Sequence, residues 1–201
     1  MELFYAKGTV AMAVLITLYE TGLPFTITSL DFSKAEQQDA TYLARNPKGR
    51  VPALVTDQGV LTETPAILPY VAGLAPAANL LPTDPYEIAK LNEFTSYLAS
   101  TAHVNHAHRM RGSRWADDQS SFDDMAQKVP QNMRDTFAFI QSDCLRGPWV
   151  MGDQYTVADA YLFTVASWLK GDSVDITEFP AVAAHFTAMK SRPAVQKALA
   201  Y

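Results

Sequence analysis

The chain has 201 residues, 48% hydrophobic and 18% charged, so its length fits one domain or two small domains in close contact, and its apolar content argues against disorder. Sixteen Lys and Arg against 21 Asp and Glu give a net charge of −5. The acidic excess is not localised in one half of the chain, and a uniformly weakly acidic surface argues against nucleic acid as a main partner because phosphate binding needs clustered cations.

Two further features of the composition concern the compartment. A lone cysteine, Cys144, excludes an intramolecular disulfide and suits a reducing environment. The N-terminal residues lack the pattern of a secretory signal, and the longest apolar run, residues 10–16, is too short to span a bilayer. We therefore expect a cytoplasmic protein without a membrane partner.

The first quarter of the chain is predicted to form a strand, a helix and a second strand. Residues 2–6 are a short apolar and aromatic run, and apolar residues then recur with the period of a helix over 11–18. Gly22 and Pro24 end that helix, and residues 25–30 have the alternation of a strand. This order predicts a βαβ unit with a parallel strand pair.

A hairpin and another helix follow. After the turn at 46–49, residues 51–56 and 60–62 are predicted strands. The next helix is predicted to begin with Thr64 as its N-cap and Pro65 as its first residue.

The sequence after the linker is predicted to be helical. We expect an α/β domain of βαβ-ββα order over 1–76, a proline-rich linker over 77–86 and an all-α domain over 87–201. The predicted helices of the second domain include 125–146, 157–170 and 180–200.

The most specific motif is Asn-Pro-Lys-Gly-Arg-Val-Pro-Ala-Leu at 46–54, followed by Thr-Glu-Thr-Pro-Ala-Ile at 62–67. In this order, after a βαβ unit, the two segments resemble the glutathione S-transferase superfamily, with the bacterial beta class closest. Residues 3–5, 152–160 and 191–195 resemble it too. The resemblance implies a thioredoxin-like first domain, a helical-bundle second domain, and glutathione as co-substrate without a metal. It also implies a small-molecule electrophile as the second substrate and a homodimer.

The resemblance assigns residues to the glutathione site. Pro52 matches the family's cis-proline, which would leave the N–H and C=O of Val51 free to pair with the cysteinyl backbone of glutathione. Glu63 and Thr64 match the γ-glutamyl subsite. The Thr64 hydroxyl and the first amides of its helix suit the carboxylate, and Glu63 suits the ammonium group.

Two sets of basic residues are further candidates. Lys34 matches a position that helps to hold the glycyl carboxylate in beta-class relatives, and Arg50 is the alternative. Arg109, Arg111 and Arg114 form a small cluster that we interpret as a solvated helix end. Recognition of an anionic second substrate or of the glutathione carboxylates is the other interpretation.

The catalytic position departs from the family's pattern. Beta-class relatives carry a Cys-Ser pair where this chain has Val10 and Ala11, and neither of these side chains can donate a hydrogen bond to sulfur. The remaining candidate partners of the thiol are Thr9, Tyr5 and the backbone N–H of Val10 or Ala11. Thr9 is otherwise a turn residue, and Tyr5 is otherwise a core residue.

Three of the four histidines of the chain, His103, His106 and His108, lie close together in the sequence of the second domain. By resemblance His103 faces the thiol and can donate to the thiolate. His106 and His108 are interpreted as a polar helix face. No metal site is expected, because no third ligand is evident near the His103 and His106 pair.

The leading hypothesis is therefore an enzyme that conjugates the thiolate of glutathione to a small hydrophobic electrophile, as in detoxification. The alternative is a non-catalytic module that binds glutathione or carries a ligand, which the Val10-Ala11 substitution motivates. A peroxidase, lyase or isomerase that keeps the same site is a further alternative.

Overall fold

The first domain is a four-stranded mixed sheet with helices packed on it. The computed structural model describes all 201 residues. The strands are β1 (Glu2–Tyr5), β2 (Thr26–Ser29), β3 (Ala53–Thr56) and β4 (Gly59–Thr62). Their order is β2-β1-β3-β4, with β1 and β2 parallel and the other pairs antiparallel. The predicted βαβ-ββα architecture is thus confirmed.

The helices of this domain are α1 (Ala11–Thr21), the short α2 (Ala40–Leu43) and α3 (Thr64–Gly73). Gly22 ends α1 with a φ of 66°, in the left-handed region that glycine tolerates. The prediction for the start of α3 was wrong by one residue. The N-cap is Glu63, with a φ of 70°, and Thr64 is already helical.

The second domain is all helical, as predicted. Its helices are α4 (Pro85–Tyr97), α5 (His103–Ala107), α6 (Gln119–Phe139), α7 (Val157–Ala166), α8 (Pro180–Lys190) and α9 (Pro193–Ala200). A π-helical turn, Leu98–Ala102, joins α4 to α5 directly before His103. The single helix predicted over 180–200 is two helices, because Pro193 disfavours the helical conformation at Arg192, whose ψ is 133°.

Helix α1 lies at the centre of the molecule. It packs against α3 of the first domain and against α7 and α9 of the second. Near its C-terminal end, Nε of Arg192 lies 2.7 Å from Oε1 of Glu20, and the guanidinium stacks over the Tyr155 ring at 3.5 Å. These contacts fix the helical domain to the C-terminal end of α1. At the other end, Val10 lines cavities together with residues of the second domain, so the start of α1 also lies where the two domains meet.

The chain passes between the domains from Gly73, the last residue of α3, to Pro85, the first of α4. The division at 1–76, 77–86 and 87–201 stays a prediction. No helix of the protein combines the length and the apolar character needed to cross a membrane.

Candidate active site

Two adjoining cavities form one cleft between the domains. The α3 cavity, about 160 Å³, reaches the start of α3, and the α1 cavity, about 210 Å³, reaches the turn before α1. The residues that line both are Val10, Arg50, Val51, His103 and Arg114. The cleft therefore has one wall from each domain.

The segment before β3 presents a free backbone edge to the cleft. The bond between Val51 and Pro52 is cis, as the resemblance predicts, and both residues line the α3 cavity. Neither the N–H nor the C=O of Val51 has a hydrogen-bond partner in the protein. The preceding carbonyl, of Arg50, accepts from the Tyr42 hydroxyl at 2.5 Å and from Nδ2 of Asn46 at 2.6 Å. An anchored segment with a free donor and a free acceptor is suited to strand addition by a peptide.

The start of α3 provides an anion site beside a carboxylate. Thr64 is 3% exposed and lines the cavity, and neither its N–H nor its hydroxyl has a partner in the protein. Oε1 of Glu63 lies 2.5 Å from Nζ of Lys48. A helix N-terminus with free donors binds anions, and Glu63 can accept from a cation. These are the features predicted for a γ-glutamyl group.

Tyr161 is a site residue that the sequence analysis missed. It belongs to α7, is 1% exposed, and lines the α3 cavity. Burial, and secondarily the charge of Glu63, raises the pKa of Tyr161, so the phenol stays protonated at neutral pH and can donate. The signal available in the sequence was a phenol within a largely apolar helix, since a buried tyrosine hydroxyl usually requires a partner.

Thr9 and Val10 lie at the start of α1, where the thiol is expected. The Thr9 hydroxyl donates to the Ala6 carbonyl at 2.6 Å and accepts from the Ala11 N–H at 3.3 Å. Its proton is therefore already used within the turn. The Val10 N–H has no partner in the protein, and it lies at the positive end of α1.

The structure does not bring two predicted residues, Tyr5 and Lys34, to the cleft. Tyr5 is 1% exposed, lines neither cavity, and packs edge-on against Tyr201 at 5.6 Å. Strand alternation places its ring in the core. Nζ of Lys34 lies 3.4 Å from Oδ2 of Asp31, with the lysine side chain 72% exposed and outside both cavities.

His103 lines both cavities, as the resemblance implies for a residue that faces the thiol. Burial lowers the pKa of His103 to about 4, with further contributions from the nearby charges of Arg111, His106, Arg114 and Arg50. The imidazole is therefore neutral at pH 7. It can give a thiolate one N–H hydrogen bond but no full positive charge.

His106 is not the polar surface residue that the sequence suggested. Its Nδ1 lies 2.8 Å from Oδ2 of Asp172, a carboxylate that is 0% exposed, and its ring stacks on Trp168 at 4.3 Å. His106 and Trp168 both line the α1 cavity. No group of three or more His, Cys, Asp or Glu side chains is arranged to hold a metal ion.

The basic cluster of the second domain is divided between two environments. Nε of Arg109 lies 3.3 Å from Oδ1 of Asp172, so this arginine is part of the His106 contact. Arg111 and Arg114 line the cleft instead. Arg111 is half-buried there, which corrects its interpretation as part of a solvated helix end, whereas Arg114 is exposed. Burial, and then the charge of Arg50, lowers the pKa of Arg111.

Comparisons with known proteins agree with this geometry. Family models described as the N-terminal and the C-terminal domain of glutathione S-transferase match residues 1–73 and 114–188. Glutathione S-transferase GstA of Escherichia coli O157:H7 is 33% identical over 99% of this chain and 97% of its own length.

Two solved structures extend the comparison. A glutathione transferase homologue from Sulfitobacter, with bound glutathione, is 48% identical with a TM-score of 0.97, covering 99% of this chain and 96% of that one. A bacterial beta-class glutathione S-transferase from Sphingomonas chungbukensis is 30% identical with a TM-score of 0.86, covering 100% and 98%. The chain therefore belongs to the glutathione S-transferase family and lies near its bacterial beta class.

Proposed function

We propose that this protein binds glutathione in the cleft and conjugates its thiolate to a small, largely hydrophobic electrophile. One observation carries the proposal: the free N–H and C=O of Val51 and the free N–H and hydroxyl of Thr64 line one cavity. The Sulfitobacter homologue, solved with bound glutathione, supports the same ligand for this chain.

The peptide would be held along the α3 cavity. Val51 pairs with the backbone of the cysteinyl unit, and the N–H and hydroxyl of Thr64 take the γ-glutamyl carboxylate. Glu63 takes the ammonium group, in exchange for its present contact with Lys48. The protonated phenol of Tyr161 lies in the same cavity and can donate to the same end of the peptide.

The glycyl carboxylate needs a cation at the other end of the peptide. Arg50 lines both cavities and has no acidic partner, whereas Lys34 is paired with Asp31 and lies outside the cleft. Of the two predicted alternatives, the geometry thus favours Arg50.

The thiolate needs donors at the start of α1, because a free thiol has a pKa of about 8.5 and is mostly protonated at neutral pH. The Val10 N–H is free, and His103 offers a neutral N–H across the cleft. Thr9 can contribute only if its hydroxyl leaves the Ala6 carbonyl. Tyr5 takes no part. The sulfur then attacks the electrophilic carbon, the leaving group departs with the bonding electron pair, and the thiol proton passes to solvent.

The test is steady-state conjugation of glutathione to 1-chloro-2,4-dinitrobenzene, followed by absorbance, together with calorimetry of glutathione binding. Turnover well above the uncatalysed rate supports the proposal. Glutathione binding without turnover of this compound, or of a panel of peroxide, lyase and isomerase substrates, would instead support the non-catalytic module.

We also propose a symmetric homodimer, in which the first domain of one subunit packs on the second domain of the other. Light scattering coupled to gel filtration should give twice the 22.1 kDa of the chain. A mass equal to one chain at micromolar concentration would contradict it. We propose a cytoplasmic location as well, because a chain with a single cysteine suits a reducing compartment.

A further inference from the structure

We propose that the electrophilic substrate carries a carboxylate, and that Arg111, with Arg114 beside it, binds that carboxylate in the α1 cavity. The inference rests on the proposed conjugation of glutathione and adds the charge class of the second substrate.

The distribution of arginine partners singles out the cleft. Of the eight arginines in the chain, four form ion pairs with carboxylates: Arg109, Arg134, Arg146 and Arg192. Three of the other four line the cleft, namely Arg50, Arg111 and Arg114. A chain with a net charge of −5 thus gathers three of its four unneutralised guanidinium groups in one cleft. A cleft of one sign attracts ligands of the opposite sign.

Arg111 is the member of this group that most requires a counterion. It is half-buried, lines the α1 cavity only, and forms no ion pair or hydrogen bond in the protein through its side chain. The one carboxylate that lines the cleft, that of Glu63, belongs to the α3 cavity and already contacts Lys48. Because an unpaired charge is unfavourable away from water, a bound anion would stabilise the Arg111 guanidinium.

Glutathione does not use all of this charge. Its γ-glutamyl carboxylate is assigned to Thr64 and its glycyl carboxylate to Arg50, on the wall of the first domain. Arg111 lies on the wall of the second domain, among the residues that line the α1 cavity with His106 and Trp168. Aromatic rings beside a cation favour a planar electrophile with a carboxylate substituent.

The probe reaction is the conjugation of glutathione to 4-chloro-3-nitrobenzoate. The thiolate sulfur attacks the ring carbon that bears chlorine, a C–S bond forms, the C–Cl bond breaks, and chloride leaves with the electron pair. The thiol proton goes to the buffer. The control compound is its neutral analogue, 4-chloro-3-nitrobenzamide, which reacts by the same steps and has a carboxamide in place of the charged carboxylate.

The experiment measures kcat/KM for both compounds, each divided by its uncatalysed rate constant with glutathione. We expect the wild type to prefer the benzoate by about tenfold or more, because the benzamide cannot form the charged hydrogen bond to Arg111. Arg111→Gln should remove most of that preference, leave the benzamide within about threefold, and leave the KM for glutathione unchanged. Arg134→Gln, on α6 and outside the cleft, is the matched control and should change neither compound.

Three outcomes would overturn the inference while leaving the proposed function intact. The wild type converts the benzamide but shows no preference for the benzoate. Arg111→Gln slows both compounds equally. Arg111→Gln raises the KM for glutathione, which would assign Arg111 to the glycyl carboxylate. If neither compound is converted, turnover of 1-chloro-2,4-dinitrobenzene decides whether the proposed conjugation fails, and calorimetry with the two glutathione conjugates decides anion recognition separately. Equal affinity for the carboxylate and carboxamide conjugates would then overturn it too.

Discussion

Nδ1 of His106 lies 2.8 Å from Oδ2 of Asp172, 66 residues further along the chain, and the same carboxylate pairs with Arg109. Because Nδ1 donates to the carboxylate, Nε2 is the free nitrogen of a ring that lines the α1 cavity. The contact thereby joins helix α5 to the turn that follows α7.

Removing the carboxylate charge should be the more damaging of two changes to this contact. Asp172→Asn leaves the Arg109 guanidinium without its buried counterion and weakens the acceptor of the His106 N–H, so it is expected to lower the free energy of unfolding by about 3 kcal/mol. His106→Gln preserves the contact between Arg109 and Asp172, so it should lower it by about 1 kcal/mol. Urea denaturation of both variants measures the order. Equal losses would contradict the shared role of Asp172.

His103 predicts a specific dependence of stability on pH. Its pKa is lowered to about 4 in the folded protein from an ordinary value of 6.5, so between these values the unfolded chain binds more protons. The contribution of the neutral His103 to the free energy of unfolding should therefore be complete above pH 6.5. The free energy of unfolding should then fall, by up to about 3 kcal/mol, as the pH drops toward 4. His103→Gln should flatten that acid limb in urea titrations at several pH values. An unchanged limb would contradict the burial of a neutral imidazole.

Thr9 is expected to matter more for local stability than for turnover. Its hydroxyl donates to Ala6 and accepts from Ala11, so Thr9→Val should lower the free energy of unfolding by about 1 kcal/mol and change kcat by less than about threefold. Thr9→Ser, which retains the hydroxyl, is the matched control for both measurements. A loss of kcat of about a hundredfold in Thr9→Val, with normal melting and normal activity in Thr9→Ser, would make Thr9 the thiol donor instead.

Glu63 should act on glutathione affinity and hardly on stability. Its contact with Lys48 is exposed, the two side chains being 61% and 49% accessible, and such pairs contribute at most about 1 kcal/mol. Glu63→Gln should raise the KM for glutathione by about tenfold or more, because a charged partner of the ammonium group is lost. Lys48→Met tests whether the contact between Lys48 and Glu63 contributes so little to stability. A fall in melting temperature of about ten degrees or more would contradict it, because such a fall corresponds to several kcal/mol.

The fold and the peptide-binding wall were predictable because their signals are local. The cis-proline and its neighbour Val51 lie within one nine-residue motif, and Glu63 and Thr64 lie side by side at a helix start. The start of α3 was misplaced by one residue because Thr64 has the chemistry of an N-cap, whereas the positive φ of Glu63 cannot be read from its side chain.

The wall of the cleft that the second domain forms was not predictable, because its residues come together only through contacts between distant parts of the chain. The role of His106 depends on Asp172, and nothing in the spacing of the two residues indicates that a turn after α7 returns to α5. Tyr161 and Arg111 reach the cleft only through the packing of the helical domain on α1, and an error of one helical turn would have placed them elsewhere.

Isothermal calorimetry of glutathione, compared with the α-linked isomer Glu-Cys-Gly, tests the central claim most directly. The two peptides share the same groups, but only the γ-linked one places its free carboxylate at Thr64 while its cysteinyl backbone pairs with Val51. We predict a dissociation constant for glutathione below about 1 mM, binding at least about tenfold weaker for the isomer, and the same loss for glutathione in Thr64→Val but not in Thr64→Ser. The absence of heat at millimolar glutathione, or equal affinity for the two peptides, would contradict the account.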